Sequence, residues 1–417
     1  MFLICCGTVL HAQSYTVVAY SLRLPTGLEL DAQGRLWVVE SGYGFDDGAV
    51  SVMLPGGALA PVVVGLPSVY DTATQENVGP WHTLMLPNNR LAVTNGVADG
   101  VYLFDLTGFT PGVTPPMSPS DSTGFLHIRD FVFQQGFAES DPYTVARDAA
   151  GNLYVADAAA NAVIKVQTSG QLSMFNSFPA QPNPLPFGPP FYDAVPTRIL
   201  AKPGGGFYLC QLTGFPFLDS AATIFSIDPN GAVSPYALGL TMMTDLVLDA
   251  ATGDLYALQL GRFDLSIFDI APNSARIIRI QPNGARTVVV ENFNLGVGLA
   301  LDTQGNLYAT ELASGRILKW SGLVSAVAEK SNGLSGVSLA PNPTAGQTRI
   351  SFSLNRPETV QIRVLDAGGR VVYAQDLGVR SAGLQQAVWP GDGTPAGLYW
   401  VEIQTTQGLS SLPLVRQ

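Results

Sequence analysis

The stretch DPYTVARDAAGNLYVADAAANAVIKVQTSG, Asp141–Gly170, decides the fold. It contains three short apolar runs rich in residues that favour β-strands. The runs are separated by turn clusters, of which Asp148–Asn152 is the clearest. No apolar period of a helix is present. Short alternating runs punctuated by Gly, Asn and Asp predict consecutive antiparallel hairpins.

The same unit recurs along the chain, each time as two runs of β-formers that end in a polar residue. The five further copies are Pro25–Glu40, Gly79–Asn95, Val195–Gln211, Met243–Gln259 and Gly296–Glu311. The final polar residues of successive copies lie 48 to 62 residues apart. Repeats of about 40 to 50 residues with several strands each are typical of β-propellers, so six copies predict six blades. The alternative is an open β-sandwich.

The two ends of the repeat region predict how the ring closes. Thr16–Asp31 (TVVAYSLRLPTGLELD) is similar to Thr287–Asp302 (TVVVENFNLGVGLALD). The second segment is an outer strand that runs into the inner strand of the last blade. The first is therefore an outer strand as well, and it completes blade six, where Arg316–Trp320 has no clear successor. Closure by strands from both ends leaves only short sheet edges.

Composition and charge restrict the classes of partner that the chain could bind and the compartment in which it is expected. The net charge is −11 and no Lys/Arg cluster occurs, which argues against a nucleic acid or an anionic membrane as partner. Few charges and many Gly and Pro residues suit a turn-rich extracellular protein. Phe2–Leu10 is too short to span a bilayer and is interpreted as the apolar core of a signal peptide, residues 1–13. We expect a secreted or cell-surface protein without a transmembrane segment.

The sequence changes character near Val337. The propeller is assigned to residues 14–322 and a linker to residues 323–336. Residues 337–417 then show clean alternation, as in VQIRV at Val360–Val364. This pattern predicts a second, small Ig-like β-sandwich domain. The fold class expected for the chain is all-β, a six-bladed β-propeller followed by this sandwich.

Irregular stretches interrupt the repeats. Phe109–Ser122 is rich in Pro, Ser and Thr and is predicted to be a loop, and Leu126–Phe133 is predicted to be the outer strand of blade two. A second Pro-rich stretch, Phe178–Pro190, precedes blade four. Long loops on a rigid scaffold often carry binding surfaces, although a plain surface loop is the alternative.

The last 80 residues or so carry motifs of a known export signal. These are Pro341–Pro343 with Gly346, Val364–Arg370 (VLDAGGR), Gly397–Val401 (GLYWV) and the apolar-basic end Leu414–Arg416. Together they closely resemble the type A C-terminal sorting domain of the type IX secretion system of Bacteroidota. The resemblance implies that the type IX machinery is a partner of residues 337–417 and exports the chain across the outer membrane. The chain ends in Val-Arg-Gln, where a lysine pair is commoner in the family.

The propeller resembles the ScyD/ScyE family across nearly its whole length. The motifs that carry this resemblance are Glu139–Tyr143, Ala156–Ala158 with Asn161, and Leu212–Phe217 with Ala221–Ile224. More loosely, it is similar to NHL-repeat and lactonase-type six-bladed propellers. The family name comes from a pigment-biosynthesis gene cluster, which implies an accessory role in secondary metabolism as one possibility. The resemblance implies a fold and no single reaction.

The repeat also predicts where a ligand would bind. Each tight turn joins two strands, so the start of the first strand and the end of the second meet at one face of the ring. The residues expected at the channel mouth are the first-strand positions His82, Thr144, Arg198 and Asp245, and the second-strand ends Glu40, Asn95, Asp157, Gln211, Gln259 and Glu311. The ligand class is open: a small molecule, a glycan or a protein.

Oxygen-rich rings of this kind can hold a hard cation such as calcium. The candidate ligands for it are Glu40, Asp157, Asp245 and Glu311. The alternative is that the second-strand ends hydrogen-bond neighbouring loops. Asp148–Asn152 superficially suggests a calcium loop but lacks the acids of an EF-hand, so a hairpin turn explains it better.

A catalytic constellation is hard to find. His82, near Arg198 and Asp245, is the one candidate general base, and a neutral histidine that caps the channel is the alternative. Lactonase-type propellers use an acid on the channel axis where this chain has Gly27. The leading hypothesis is therefore a secreted binding module, and the alternative is a metal-dependent hydrolase or lyase.

Overall fold

The computed structural model describes residues 14–72, 75–322, 334–354, 356–366, 370–406 and 409–417. The signal peptide and most of the linker expected from the sequence lie outside these ranges. The chain divides into two compact units, Met1–Val324 and Ser325–Gln417, which are considered separately. Within the described ranges, no helix has the length and apolar character needed to cross a membrane.

The first unit contains the closing strand β1, the strands of six blades and three short two-stranded hairpins. The strands of the first half are β1 (Thr16–Ala19); β2 (Pro25–Leu30), β3 (Leu36–Glu40), β4 (Gly48–Met53) and β5 (Leu59–Leu66) in blade one; the hairpin β6 (Val69–Asp71) and β7 (Glu76–Val78); β8 (Pro80–Leu86), β9 (Arg90–Asn95), β10 (Gly100–Asp105) and β11 (Gly124–His127) in blade two; and β12 (Pro142–Arg147), β13 (Leu153–Asp157), β14 (Ala162–Val166) and β15 (Leu172–Ser177) in blade three.

The second half repeats the pattern with longer loops. Its strands are the short pair β16 (Gln181–Pro182) and β17 (Phe191–Tyr192); β18 (Pro196–Ala201), β19 (Phe207–Gln211), β20 (Ala222–Ile227) and β21 (Val233–Leu240) in blade four; β22 (Met243–Leu248), β23 (Leu255–Gln259), the insertion β24 (Phe263–Asp264) and β25 (Asp269–Ile270), β26 (Ala275–Ile280) and β27 (Arg286–Phe293) in blade five; and β28 (Gly296–Leu301), β29 (Leu307–Glu311) and β30 (Arg316–Trp320) in blade six.

These strands form six four-stranded antiparallel sheets, which confirms the six-bladed propeller. Blade six is completed by β1, in the order β1-β30-β29-β28, with Thr16 opposite Lys319 and Ala19 opposite Ile317. The ring thus closes with strands from both ends of the repeat region, as the similarity of its two end segments predicts. One face of the ring carries the loops between the second and third strands of each blade and the connections between blades. We call it the loop face, and we call the opposite face the turn face.

Hairpin turns on the turn face follow from one recurring local motif. Asp148 Oδ1 accepts a hydrogen bond from the backbone N–H of Asn152 at 2.8 Å, and its Oδ2 accepts one from the Asn152 side chain at 2.7 Å. Asp302 and Asn306 repeat this arrangement. Gly151 supplies the positive φ of 93° that the turn requires. The carboxylate oxygens of Asp148 and Asp302 are therefore used to close the hairpin turns.

Apolar packing occurs between neighbouring blades, where six separate clusters of buried residues fill the six blade interfaces. Threonine hydroxyls add polar links across the same interfaces. Thr26 Oγ1 donates to the carbonyl of Pro80 at 3.0 Å, Thr144 Oγ1 to Thr197 at 2.5 Å and Thr197 Oγ1 to Met243 at 2.9 Å. Each link joins a blade to the first strand of the next one.

Two glycines let the inner strands approach each other at the seam of the ring. A Cβ on Gly27 would lie 2.6 Å from the carbonyl oxygen of Trp81, and one on Gly298 would lie 2.7 Å from that of Thr26. Such distances are too short for any side chain. The glycines therefore set the spacing of blades six, one and two.

Blade two differs from the sequence prediction. The expected outer strand Leu126–Phe133 is wrong for most of its length, because β11 ends at His127 and the helix α1, Ile128–Gln134, follows. Ile128 and Val132 are buried one helical turn apart, so the segment has a helical apolar face. A 3-10 helix, Pro119–Asp121, lies within the predicted loop.

The second unit contains two sheets, and their strand orders are β31-β32-β35 and β34-β33-β36-β37. Buried Phe352, Ile362 and Trp389 belong to one core built from both sheets, as expected for a β-sandwich. The strands are β31 (Leu334–Ala340), β32 (Thr348–Leu354), β33 (Glu358–Asp366), β34 (Val371–Arg380), β35 (Gly383–Trp389), β36 (Gly397–Gln404) and β37 (Leu409–Arg416). The first of them begins inside the segment that the sequence assigns to the linker.

Candidate functional site

The first-strand positions predicted to line the channel separate into two groups. His82, Arg198 and Asp245 are buried and lie together, although they belong to blades two, four and five. Thr144 is buried as well, but its hydroxyl is used by backbone groups of blade four, at Thr197 and Ile199. The structure therefore gathers three of the four predicted residues into one cluster.

Arg198 is the centre of this cluster and crosses the channel. Its Nη1 donates to His82 Nε2 at 2.6 Å, and its Nη2 donates to Glu29 Oε2 at 3.4 Å on the opposite blade. Its Nε lies 3.2 Å from Asp245 Oδ1. Asp245 in turn accepts the backbone N–H groups of Leu246 and Leu299, both at 2.7 Å. The guanidinium of Arg198 thus links blade four to blades one, two and five. Asp245 adds blade six through the backbone of Leu299.

Burial controls the protonation of the cluster. It raises the pKa of Asp245 to about 7, against the lowering effect of Arg198, and it also raises the pKa of Glu29. Burial and the nearby Arg198 charge together hold the pKa of His82 well below its usual value, so His82 is neutral. A general base must reach a proton of the substrate, whereas the ring nitrogens of His82 face Arg198. Because Arg198 crosses the channel from His82 to Glu29, the cluster blocks the channel, and we call it the Arg198 plug.

Glu29 is the member that the sequence interpretation missed. It lies two residues after Gly27, on the same side of its strand, because side chains alternate along a strand. The equivalent residues of the other blades are apolar, namely Leu84, Ala146, Leu200, Val247 and Ala300. Alignment of the six repeats would therefore have revealed Glu29, because it is the single acid at a position that is apolar in the other five blades.

The second-strand ends lie elsewhere and do not form a ring of free oxygens. Glu40 accepts the Arg23 N–H at 2.6 Å, Asp157 accepts the Asp141 N–H at 2.7 Å, and Glu311 accepts the Asn294 N–H at 3.0 Å. Each of these bonds ties down the connection that enters the same blade. No hydrogen bond or ion pair joins any two of the six second-strand ends, all of which lie within the described ranges.

Of the remaining three second-strand ends, Asn95 donates to the carbonyl of Pro67 in the connection that enters blade two, at 2.9 Å. Gln259 donates to the carbonyl of Gly261 in the loop after its own strand, at 2.9 Å, and Gln211 is buried. The candidate calcium ligands are thus used as hydrogen-bond acceptors or, for Asp245, as a partner of Arg198. Over the described ranges, no group of three or more His, Cys, Asp and Glu side chains is arranged to hold a metal ion.

An aromatic pair with a half-buried acid stands at the loop-face end of blades two and three. Trp81 and Tyr143 stack with their ring centroids 5.1 Å apart, and Trp81 Nε1 donates to Asp141 Oδ1 at 2.6 Å. Burial, with the nearby Asp157 charge, raises the pKa of Asp141 to about 7. Asp141 and Tyr143 belong to the motif Glu139–Tyr143, which carries the family resemblance. The sequence alone does not show that both residues contact Trp81.

Acidification from pH 8 to pH 6.5 is expected to stabilise the propeller. The pKa values of Asp141 and Asp245, about 7, lie above those of free aspartate, so the folded chain binds protons here that the unfolded chain does not. Their contribution is complete at low pH and is lost as the pH rises through 7, by at most about 1.4 kcal/mol per pH unit and group. His82, with its lowered pKa, opposes this trend only below about pH 6.5.

The melting temperature at several pH values tests this, and Asp141→Asn isolates one group. The amide oxygen still accepts the Trp81 hydrogen bond but does not ionise, so the variant should melt higher at pH 8 and show a flatter pH profile. Asp130→Asn is the matched control, because the Asp130 side chain is 71% exposed. An Asp141→Asn profile as steep as that of the parent chain would contradict the assignment.

A second feature of the loop face is a cluster of phenylalanines from two loops. Phe215 and Phe217 come from blade four, and Phe263 and Phe268 come from the blade-five insertion. The centroid of Phe263 lies 5.4 Å from those of Phe217 and Phe268, and Phe215 lies 5.6 Å from Phe268. Edge-to-face and tilted contacts at such distances stabilise aromatic clusters. The cluster holds the tip of the insertion in place.

The tip of this insertion exposes large apolar side chains. Leu265 is 49% exposed, Ile267 54% and Phe268 64%. The connection into blade four adds the exposed Phe187 and Phe191, and its Gly188 lies so near Phe215 that an added Cβ would be 2.9 Å from the ring. We call these five exposed residues the phenylalanine surface.

Comparison with known proteins relates both units to known folds. Residues 339–408 match the family model of the FlgD Ig-like domain. No curated protein matches the chain by sequence. Among solved structures, the propeller neighbours are of the lactonase and virginiamycin B lyase type.

Three of these structures illustrate the likeness. A streptogramin B lyase is 11% identical with a TM-score of 0.43, and the match covers 73% of this chain and 96% of the lyase. A catalytically inactive virginiamycin B lyase from Staphylococcus aureus is 11% identical with a TM-score of 0.42, over 82% and 95%. A protein of unknown function from Bacteroides thetaiotaomicron is 12% identical with a TM-score of 0.48, over 74% and 72%.

Proposed function

We propose that this chain is an exported binding module whose propeller recognises a protein partner through the phenylalanine surface. The observation that carries the proposal is the exposure of Leu265, Ile267 and Phe268 on an insertion whose Phe263 and Phe268 pack against Phe215 of blade four. Contiguous exposed apolar groups on a soluble domain mark interaction sites. A protein partner suits this surface because aromatic and aliphatic anchors dominate the centres of protein interfaces.

The channel supports binding over turnover. The ionisable side chains at its centre are engaged with one another, since Arg198 contacts His82, Glu29 and Asp245 at 3.4 Å or less. This leaves the loops of the propeller as the adaptable part of the molecule, in keeping with the usual location of binding residues.

We further propose that the second unit directs export by the type IX secretion system and that the propeller is a ScyD/ScyE-like module. The support for export is the motif set from Pro341–Pro343 to Leu414–Arg416 together with a sandwich fold of the expected size. The support for the family is the motif Leu212–Phe217, because it supplies Phe215 and Phe217 of the phenylalanine cluster.

Replacing Ile267 and Phe268 by serine is expected to abolish capture of the partner while leaving the fold intact. Both side chains are more than half exposed, so the melting temperature should change little. The measurement is quantitative capture of envelope proteins from the producing cells on immobilised full-length chain. Leu238→Ser is the matched control, because Leu238 is 58% exposed on the outer strand of blade four. Equal capture by the double variant and the parent chain would refute the proposal.

Removing Ser325–Gln417 is expected to trap a folded propeller in the periplasm of a host with a type IX system. The two units have separate cores, so the truncated chain should keep the melting temperature of the propeller. Fractionation of the full-length and truncated chains measures the effect. Normal appearance of the truncated chain outside the cell would sink the sorting assignment, but would leave the binding proposal untouched.

A further inference from the structure

A cavity of about 200 Å³ lies on the turn-face side of the Arg198 plug. Eight of its ten lining residues have apolar side chains, and Arg198 and Glu29 supply charged groups, so that polar atoms form about half of the lining surface. The wall residues nearest the turn face are Leu30, Leu200, Leu248 and Leu301. This cavity is separate from the phenylalanine surface and lies at the other end of the channel.

The size of the cavity suits one small organic molecule. It is somewhat larger than an apolar cavity of roughly 150 Å³, which is enough to admit benzene. Its leucines are half-buried, so that a molecule in the cavity would remove apolar surface from water. The walls therefore favour a compact apolar body.

The polar end of the cavity has unused hydrogen-bonding capacity. Arg198 has a side chain only 6% exposed, and its buried Nε has no hydrogen-bond partner despite lying 3.2 Å from Asp245 Oδ1. The contact between Arg198 Nη2 and Glu29 Oε2 is long, at 3.4 Å. A hydroxyl group beside this pair could accept from the guanidinium and donate to the carboxylate.

Charge selects against ionic ligands. A bound carboxylate beside Arg198 would lie next to Glu29, and a bound ammonium beside Glu29 would lie next to Arg198, so either would hold a like charge close to it. A neutral hydroxyl avoids both costs. We propose that this cavity binds a small uncharged alcohol or phenol, with its ring or chain against the leucines and its hydroxyl bridging Arg198 and Glu29.

Titration of the full chain with phenol, toluene, benzoate and benzylamine tests the proposal by calorimetry. Phenol is expected to bind at least about tenfold more tightly than each of the others, because a hydrogen bond to a charged group changes an equilibrium by roughly 10- to 100-fold. Equal binding of phenol and toluene, or no binding of phenol at millimolar concentration, would overturn it.

Variants locate the site. Leu200→Trp should fill the cavity and abolish phenol binding, and Leu238→Trp, on an exposed strand, should bind as the parent chain does. Glu29→Leu should remove the preference for phenol over toluene. Glu29→Gln keeps an oxygen that accepts the hydroxyl proton and should retain part of that preference. Phenol binding that survives in a folded Leu200→Trp variant would place the ligand elsewhere and refute the inference.

Discussion

Deletion of residues 14–21 is expected to destabilise the propeller by at least about 3 kcal/mol, because it removes the strand that closes the ring. β1 pairs with β30, and Ala19 is buried in the seam between blades six and one. Tyr15 also packs against Trp320, with the ring centroids 6.0 Å apart. Without β1, blade six has three strands and exposes an unpaired edge together with Trp320. Chemical denaturation of the deleted and parent chains measures the loss.

A rearranged chain separates loss of the strand from loss of the residues. Residues 14–22 can be moved to follow Trp320 through a short turn, because Thr16 lies opposite Lys319 in the antiparallel pair. The outer strand of blade six is then contiguous with β30, and most of the lost stability should return. Unchanged melting of the simple deletion, or no recovery in the rearranged chain, would refute closure by β1.

The number of blades and their closure could be predicted because they depend on local chemistry that repeats. Every copy carries an apolar strand, a turn and a second apolar strand. The turn contains glycine in five copies and the pair Asn88 and Asn89 in the copy Gly79–Asn95, and the Asp–Asn motif is visible in Asp148–Asn152 and Asp302–Asn306 alike. Similar sequence segments at both ends then fix the closing strand. Blade two was harder, since the run around Phe131 is rich in β-formers, and only the buried pair Ile128 and Val132 reveals the helix.

The partners of the channel residues could be predicted only in part. His82, Arg198 and Asp245 occupy equivalent positions of their repeats, so the repeat alone places them near the axis. That Arg198 reaches across to Glu29 becomes apparent only when the ring is closed and blades one and four face each other. The second-strand ends show why position in the repeat does not decide the role of a side chain. The carboxylates of Glu40, Asp157 and Glu311 accept backbone N–H groups of the connections that enter their blades, because those N–H groups need acceptors.

The acids around Arg198 suggest what holds the inside of the channel together. Glu29, half-buried on blade one, and Asp245, buried on blade five, are carboxylates that share a single guanidinium from blade four. An ion cluster of this kind adds little net stability over a well-packed apolar core, but removal of one partner is costly. The cluster therefore makes the channel sensitive to any change at Arg198.

Arg198→Met is expected to destabilise the propeller by about 3–5 kcal/mol at pH 8, because it leaves the buried carboxylate of Asp245 and the half-buried carboxylate of Glu29 without a cation. The loss should shrink toward pH 5, since burial already raises the pKa values of Glu29 and Asp245 and their protonation removes the unpaired charges. Arg198→Lys keeps the charge but not the forked donors, and an intermediate loss is expected.

The triple variant Arg198→Met, Glu29→Gln, Asp245→Asn is the decisive control, measured by chemical denaturation at both pH values. Its amides carry no charge, and the Asn oxygen can still accept one of the N–H groups of Leu246 and Leu299 that Asp245 binds. It should therefore regain most of the stability that Arg198→Met loses at pH 8. If Arg198→Met alone were as stable as the parent chain at pH 8, or if the triple variant were no more stable than the single one, the buried charges would not be what Arg198 compensates. A recovery confined to pH 8 would instead show that the cost lies in the unpaired carboxylates and not in the space that the arginine fills.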